Sequence, residues 1–332
     1  MKKLLAVLLV CCMAACLGTG FAAETFTSGD WEYGIMDSGD IWIDKYNGTD
    51  EEVVIPDELD GKKVAEIGAK AFFSNDALLS VTIPEGVTEI GQEAFANCRS
   101  MTKVSIPDSI TYIGNGAFRS CVSLADISIP EGVTYISGEA FAYTGLVSVT
   151  VPGSVKEIYR ETFKYCHALT EVTLSEGITQ IYEKAFYGCD ALVSVKLPES
   201  LEEIGYEAFF SCESLPDIVI PDGVKHISAE AFQWCSSLTK VTIPDSMTSI
   251  ERSMFYACTS LADVTIPDSV TSIGTVAFLS CESLKSITIP ASVTIMGKDV
   301  FEYCPDLTVA VFHGSYAEQY CQEFDIKYTY AD

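Results

Sequence analysis

The chain has 332 residues with 20 basic and 47 acidic side chains, a formal net charge of −27. Such a balance repels nucleic-acid phosphates and anionic membrane surfaces, and it draws in basic partners or cations. With 13 cysteines and only three histidines among 332 residues, sulfur chemistry has to be weighed before imidazole chemistry.

Residues 1–22 read as an export signal. Lys2-Lys3 precede an apolar run from Leu4 to Leu17, and Gly20-Phe21-Ala22 puts small residues where a signal peptidase cuts. Met13-Ala14-Ala15-Cys16 offers a rival reading, similar to a lipoprotein box with Met where Leu is usual, which would put a lipid anchor on Cys16. Losing the leader removes two lysines and no acid, leaving 18 basic against 47 acidic residues, −29. No second stretch approaches the ~20 apolar residues of a spanning helix, so the expected location is secreted or cell surface. From 23 to 63 the expectation is an N-terminal cap. Trp31-Glu32-Tyr33 and Ile41-Trp42-Ile43 alternate like strands around the turn Asp37-Ser38-Gly39-Asp40, and Val53-Val54-Ile55-Pro56 is the first strand of the pattern that follows. The acids of 37–52 lack the spacing of a calcium loop and fit solvated turns.

Between 64 and 312 one phrase recurs. Phenylalanines stand at 72, 95, 118, 141, 163, 186, 209, 232, 255, 278 and 301, at intervals of 23 residues except for one of 22, and prolines at 84, 107, 130, 152, 198, 221, 244, 267 and 290 keep the same beat. The consensus is L-x-x-[VI]-x-[IVL]-P-[DE]-[GS]-[VI]-x-x-I-x-x-x-A-F-x-x-C-x-x. A fixed period in the twenties predicts a solenoid of stacked units, here an α/β or mainly β coil of about eleven rungs with parallel strands. In Leu124, Ile127 and Ile129 the spacing turns two isoleucines to one face of an extended segment and Asp126 and Ser128 to the other. Pro130 ends that strand because it has no N–H for the ladder. Val133, Ile136 and the pair Ala140-Phe141 then return apolar groups to the interior.

These residues resemble the leucine-rich repeats of bacterial surface antigens of the BspA type, whose signature is L-x-x-[VI]-x-[IL]-P…I-G-x-x-A-F-x-x-C. The likeness runs from roughly Trp31 to the C-terminus. It implies a leucine-rich-repeat coil and an extracellular or surface-attached binding protein, in some members an adhesin toward host proteins. It brings no catalytic residues. One rung departs from the pattern: Phe141-Ala142-Tyr143-Thr144-Gly145-Leu146 lacks one residue and has Thr where its neighbours have Cys, so a local tightening or bend is expected there. From 313 to 332 a C-terminal cap is expected, with Tyr316, Tyr320 and Phe324 on one helix face against the last rung.

Several columns of like residues are candidates for chemistry. Nine cysteines stand three after the Phe, at 98, 121, 166, 189, 212, 235, 258, 281 and 304. Side chains projecting in parallel from adjacent rungs do not meet disulfide geometry, and a one-dimensional column cannot converge on a metal ion, so buried thiols acting as small hydrophobes are expected, with no cofactor. A post-proline column of Glu85, Asp108, Glu131, Glu176, Glu199, Asp222, Asp245 and Asp268 reads as turn chemistry, with a cation or basic-partner stripe as its rival. Outward strand positions such as Thr82, Ser105, Ser128, Thr150 and Thr173 give a flat hydroxyl face. In six successive rungs the two positions after the Phe carry an aromatic, namely Tyr143, Tyr165, Tyr187, Phe210, Trp234 and Tyr256, with Tyr159, Tyr182 and Tyr206 nearby. Such a stripe suits a protein segment or sugar rings, and equally suits rings that brace one another. His167, His226 and His313 lie in no nucleophile or metal motif and no phosphate loop follows a strand, so the chain reads as a non-enzymatic, adhesin-like binder of protein or glycan. The reading from a different class is a structural or self-associating envelope component without a private ligand.

Overall fold

The computed structural model describes residues 24–331. The export segment and Cys16 lie outside them. The described chain is a β-solenoid of about 13 turns of about 23 residues. The eleven Phe-bearing rungs account for most of these. Strand β3 (Ile41–Tyr46) pairs in parallel with Lys62–Ile67 at one end, and Tyr328–Tyr330 pairs in parallel with Thr308–Val311 at the other. Strands β1 (Thr25–Ser28) and β2 (Trp31–Ile35) complete an antiparallel meander with β3.

Each rung has three sides, and the sequence dictates all three. The L-x-x-[VI]-x-[IVL] segment makes a short parallel strand whose apolar residues point inward, as Val172 and Leu174 do beside exposed Glu171. The proline turn closes it, and a two-residue strand ending in a buried isoleucine follows, as at Gln180–Ile181. The third side is the Phe turn. There the residues two before and two after the Phe sit in the left-handed region, from Lys70 and Ser74 (φ 62° and 59°) to Asp299 and Tyr303 (56° and 58°). These left-handed residues bracket the turn, and within it successive amides take opposite jobs. Those at the even offsets donate to the next rung, as Lys70 to Gln92, Phe72 to Ala94 and Ser74 to Ala96 (2.7–2.9 Å), while those between close the rung on itself, as Phe73 does onto Lys70 (3.0 Å). A left-handed non-glycine residue costs on the order of 1 kcal/mol, and two inter-rung bonds flanking it hold it there.

The Phe rings fill the interior as one column. Neighbours from Phe72 to Phe301 stack with centroids 4.9 to 5.8 Å apart and planes within 19°. At the first rung Trp31 and Tyr46 cover Phe72, with Tyr46 stacked on it at 5.4 Å. Beyond the last rung helix α1 (Tyr316–Glu323) begins with a capping box, Ser315 accepting from the Glu318 amide and the Glu318 carboxylate accepting from Gly314. Its buried residues are Ala317, Tyr320 and Cys321, whereas Tyr316 and Phe324 are 40% and 42% exposed. The expected Tyr316–Tyr320–Phe324 face is therefore corrected. The helix rolls so that only Tyr320 enters, its hydroxyl accepting from the Val300 amide at 3.1 Å.

The cysteine column is buried and reduced in the described chain, with only Cys304 partly exposed. Each of the nine thiols donates to the carbonyl of the Phe one rung earlier, from Cys98 to Phe72 (3.0 Å) to Cys304 to Phe278 (3.2 Å). That carbonyl points into the coil where no inter-rung amide reaches it, so the S–H is a donor as well as a filler. Reading the column as small hydrophobes missed this. Where the column has Thr144, the hydroxyl donates to Phe141 of its own rung at 2.8 Å instead.

One expectation fails on the strand side. Ile127 and Ile129 do face inward (6% and 8% exposed) with Asp126 and Ser128 outside. Yet residues 126–129 form no ladder, and the strands on either side, Lys103–Ser105 and Ser148–Val151, end separate sheets.

Candidate functional site

The six aromatics of the sequence stripe fall on the outer surface of the Phe turns. Tyr143, Tyr165 and Trp234 occupy the left-handed position two after the Phe, with φ of 60°, 55° and 65°. Tyr187, Phe210 and Tyr256 stand one after it. Despite this shift, four of them join as one run: Tyr143–Tyr165 at 5.2 Å, Tyr165–Tyr187 at 5.3 Å edge to face, and Tyr187–Phe210 at 4.7 Å with planes 1° apart. Trp234 and Tyr256 make a separate pair at 5.8 Å. Tyr143 and Trp234 are 40% and 44% exposed and the other four half-buried.

Charged groups frame the run. Lys164 lies over both Tyr165 and Tyr187 at 5.6 and 5.8 Å, a position that favours the cation through the ring quadrupoles. The same ammonium pairs with Glu161 at 3.0 Å. The His167 ring contacts Tyr165 at 5.6 Å and bonds Asp190 at 3.0 Å. Burial, and then the neighbouring Tyr165, push the Tyr187 phenol above its ordinary value, so it stays a neutral donor. The arrangement is an aromatic ridge with polar tips and no reacting centre.

A second run was only half seen in the sequence, which set Tyr159 and Tyr182 near the ridge and did not name Tyr112 and Tyr135. Tyr112, Tyr135, Tyr159 and Tyr182 stack on the adjoining side at 5.3, 4.8 and 5.3 Å. Tyr112 and Tyr135 stand before the buried isoleucine of their rungs and Tyr159 and Tyr182 after it, so no single column of the alignment contains all four. Tyr206 does not extend it, its hydroxyl donating to Glu230 at 3.1 Å. Of the acidic column, Glu176 accepts from the amides of Glu199 and Ser200 (3.0 and 3.3 Å), which is turn chemistry between rungs. On the strand face Lys240 pairs with Asp263 at 2.9 Å. Among the described residues no three His, Cys, Asp or Glu side chains gather to hold a metal ion, and no helix is long and apolar enough to cross a membrane.

The chain belongs to the BspA type leucine-rich-repeat family. Its sequence matches the BspA type leucine rich repeat region (6 copies) over residues 50–170, 156–274 and 202–324. Among solved structures it is similar to a leucine rich cell surface protein of Faecalibacterium prausnitzii, 31% identical, with 87% of this chain and 89% of that one covered and a TM-score of 0.61. A leucine-rich repeat protein of Bacteroides ovatus is 25% identical over 92% of this chain and all of that one, TM-score 0.55. The pneumococcal vaccine antigen PcpA shares the fold at 17% identity, TM-score 0.51, over 87% of this chain and 82% of that one. No curated protein matches the sequence.

Proposed function

We propose that this chain is exported to the bacterial cell surface and there binds a segment of another protein along the ridge Tyr143–Tyr165–Tyr187–Phe210, with Trp234 and Tyr256 extending the footprint. Residues 23–63 and 313–332 act as caps on a binding array spanning 64–312. The observation that carries the reading is the unbroken ring-to-ring run on a half-exposed face, one aromatic per rung. Family and relatives support a cell-surface role. The same geometry favours protein over glycan. Sugars stack on free ring faces, and here Tyr187 and Phe210 cover each other's faces almost in parallel. What remains outward are ring edges and phenol hydroxyls, which suit apolar and hydrogen-bonding side chains.

The test replaces Tyr165, Tyr187 and Trp234 together by Ser and measures binding to immobilised purified matrix proteins and to deproteinised mucin glycans. Loss of binding to a matrix protein with a folded solenoid supports the reading. Binding that survives the triple change, or binding to the glycans alone, overturns it.

A further inference from the structure

Beside the single 22-residue rung, from Phe141 to Phe163, a slot opens on the strand side. Missing one residue between Thr144 and Leu146, the chain is drawn hard against the rung before it. The Gly145 amide donates to Cys121 at 3.3 Å, and a Cβ on Gly145 would lie 2.2 Å from the Val122 carbonyl oxygen. Where neighbouring strands pair, the carbonyl opening the strand can take two donors, as Leu79 does from Thr102 and Lys103 and Thr170 from Val193 and Ser194. Here Ala125 takes only one, from Val147 at 3.0 Å. The rungs are pinned at that point and part beyond it. Among the described residues, the backbone of 126–129 bonds neither to Lys103–Ser105 on one side nor to Ser148–Val151 on the other.

The opening has a volume of about 350 Å³. Ile127 and Ile129 form its nearly covered floor, and Asp126 and Glu131 stand exposed at its rim with no ion-pair partner among the described residues. Backbone donors and acceptors without a ladder are a template for strand addition. Two free carboxylates on a chain of net charge −27 select for positive charge on what adds. We propose that this slot docks a basic extended segment of another protein, its main chain bonding residues 126–129 and its Lys or Arg side chains meeting Asp126 and Glu131. The site is independent of the aromatic ridge, which lies on the Phe turns.

A fluorescein-labelled, end-blocked six-residue peptide of alternating Val and Arg is the probe, titrated into the full chain at about 0.15 M salt, where diffuse attraction is screened within ~8 Å. Two variants separate the slot from general acidity. Inserting Ser between Gly145 and Leu146 restores the 23-residue rung without changing charge, and Asp126→Asn with Glu131→Gln removes the rim charges from exposed positions. Saturable one-to-one binding is expected, weakened about tenfold or more by either change and untouched by the Tyr165, Tyr187 and Trp234 substitutions. Absence of binding, or unchanged affinity in the insertion variant, overturns the proposal. If the insertion variant fails to fold by circular dichroism, unchanged affinity in the doubly neutralised variant overturns it alone.

Discussion

The Phe turns and the strand side belong to the same rungs but behave differently. The Phe column runs from Phe72 to Phe301 without a lapse. At the short rung Phe141 still donates to Thr162 at 2.9 Å, and Phe141 and Phe163 still stack at 5.5 Å. The strand side breaks into separate sheets, one ending at Lys103–Ser105 and another beginning at Ser148–Val151, with further lapses around 217–220, where only Asp217 bridges to Lys240, and between Asp263–Thr265 and Ser286–Thr288. The difference lies in how the bonds are made. In the Phe turn three amides per rung, a thiol and a buried ring act within about seven residues, so a deletion outside that window leaves them in register. Strands of three or four residues have nothing comparable, so their pairing lapses beside the short rung and between full rungs as well.

The largest way to test the Phe side is alkaline. Burial pushes the Cys98 and Cys235 thiols up to about 12 and those of Cys166 and Cys304 to about 11, with Cys189, Cys212, Cys258 and Cys281 well above the ordinary 9.0. A raised folded value means that the folded chain keeps protons the unfolded chain releases above pH 9, so stability is full below 9 and falls as pH rises. Each such thiol contributes about 1.4 kcal/mol of loss one pH unit higher, and the column together several times that. Urea midpoints should be level from pH 7 to about 8, begin to fall by about 8.5 and drop steeply by about pH 10. A flat profile to pH 10 would show that the thiols ionise in the folded coil. Next in size, Phe186→Ala should cost about 3–5 kcal/mol in urea unfolding, while Ile129→Ala, at the open slot, should sit near ~2 kcal/mol. Equal losses would remove the contrast between the two sides.

Much of this was legible in advance because the period is strict. Phe every 23 residues and one thiol three later fix the column, its burial and the stacking direction whatever the detailed path. The short rung at Thr144-Gly145 could also be found by counting. What counting could not supply was the direction of each amide. The left-handed residues are of many types, among them Lys, Glu, Ser, Tyr and Trp, with glycine only at 116 and 188, so neither the Phe-turn ladder nor the role of Cys as donor to the Phe carbonyl has a compositional mark. The ridge was legible as residues and not as geometry: Tyr143 to Phe210 join although their columns shift, whereas Phe210 and Trp234 shift likewise and form no ring contact among those described. The run Tyr112–Tyr182 was hidden because its members change sides of the buried isoleucine between Tyr135 and Tyr159.

The donor role separates two views of the cysteine column by a smaller effect. In Cys212→Ala the Phe186 carbonyl loses a bond of 3.3 Å, and a loss of about 1–2 kcal/mol is expected. If the thiol were only a filler, Ser would be worse than Ala, since a buried hydroxyl without a partner is penalised. With a carbonyl waiting, Cys212→Ser should lose less than Cys212→Ala, as Thr144 indicates by serving the same kind of carbonyl with a hydroxyl. The order of the two urea midpoints decides the matter.

The smallest effect concerns how side chains supplement the weaker side. Two residues after the turn-opening proline, replaced by Ser175 in one rung, the chain alternates Gly86, Ser109, Gly132, Ser154, Gly177, Ser200, Gly223 and Ser246, and then reads Ser269 and Ser292. Where Ser follows Gly, its hydroxyl links rungs. Ser200 donates to the Ile178 carbonyl at 2.8 Å and accepts from the Gly177 amide at 2.8 Å, and Ser109 does the same with Val87 (2.7 Å) and Gly86 (3.1 Å). Ser292, which follows Ser269, still donates to the Val270 carbonyl at 2.8 Å, whereas the buried hydroxyl of Ser269, which follows Ser246, has no partner. The two serines should therefore respond oppositely to one change. Ser200→Ala removes a satisfied link and should cost about 1 kcal/mol, while Ser269→Ala removes an unsatisfied group and should be neutral or stabilising by up to about 1 kcal/mol. Neither carries the backbone penalty of glycine, so the sign of the difference in melting temperature reads the hydrogen bond alone. Equal losses at both positions would mean that Ser269 finds a partner in solution and that the alternation carries no share of the strand side's cohesion.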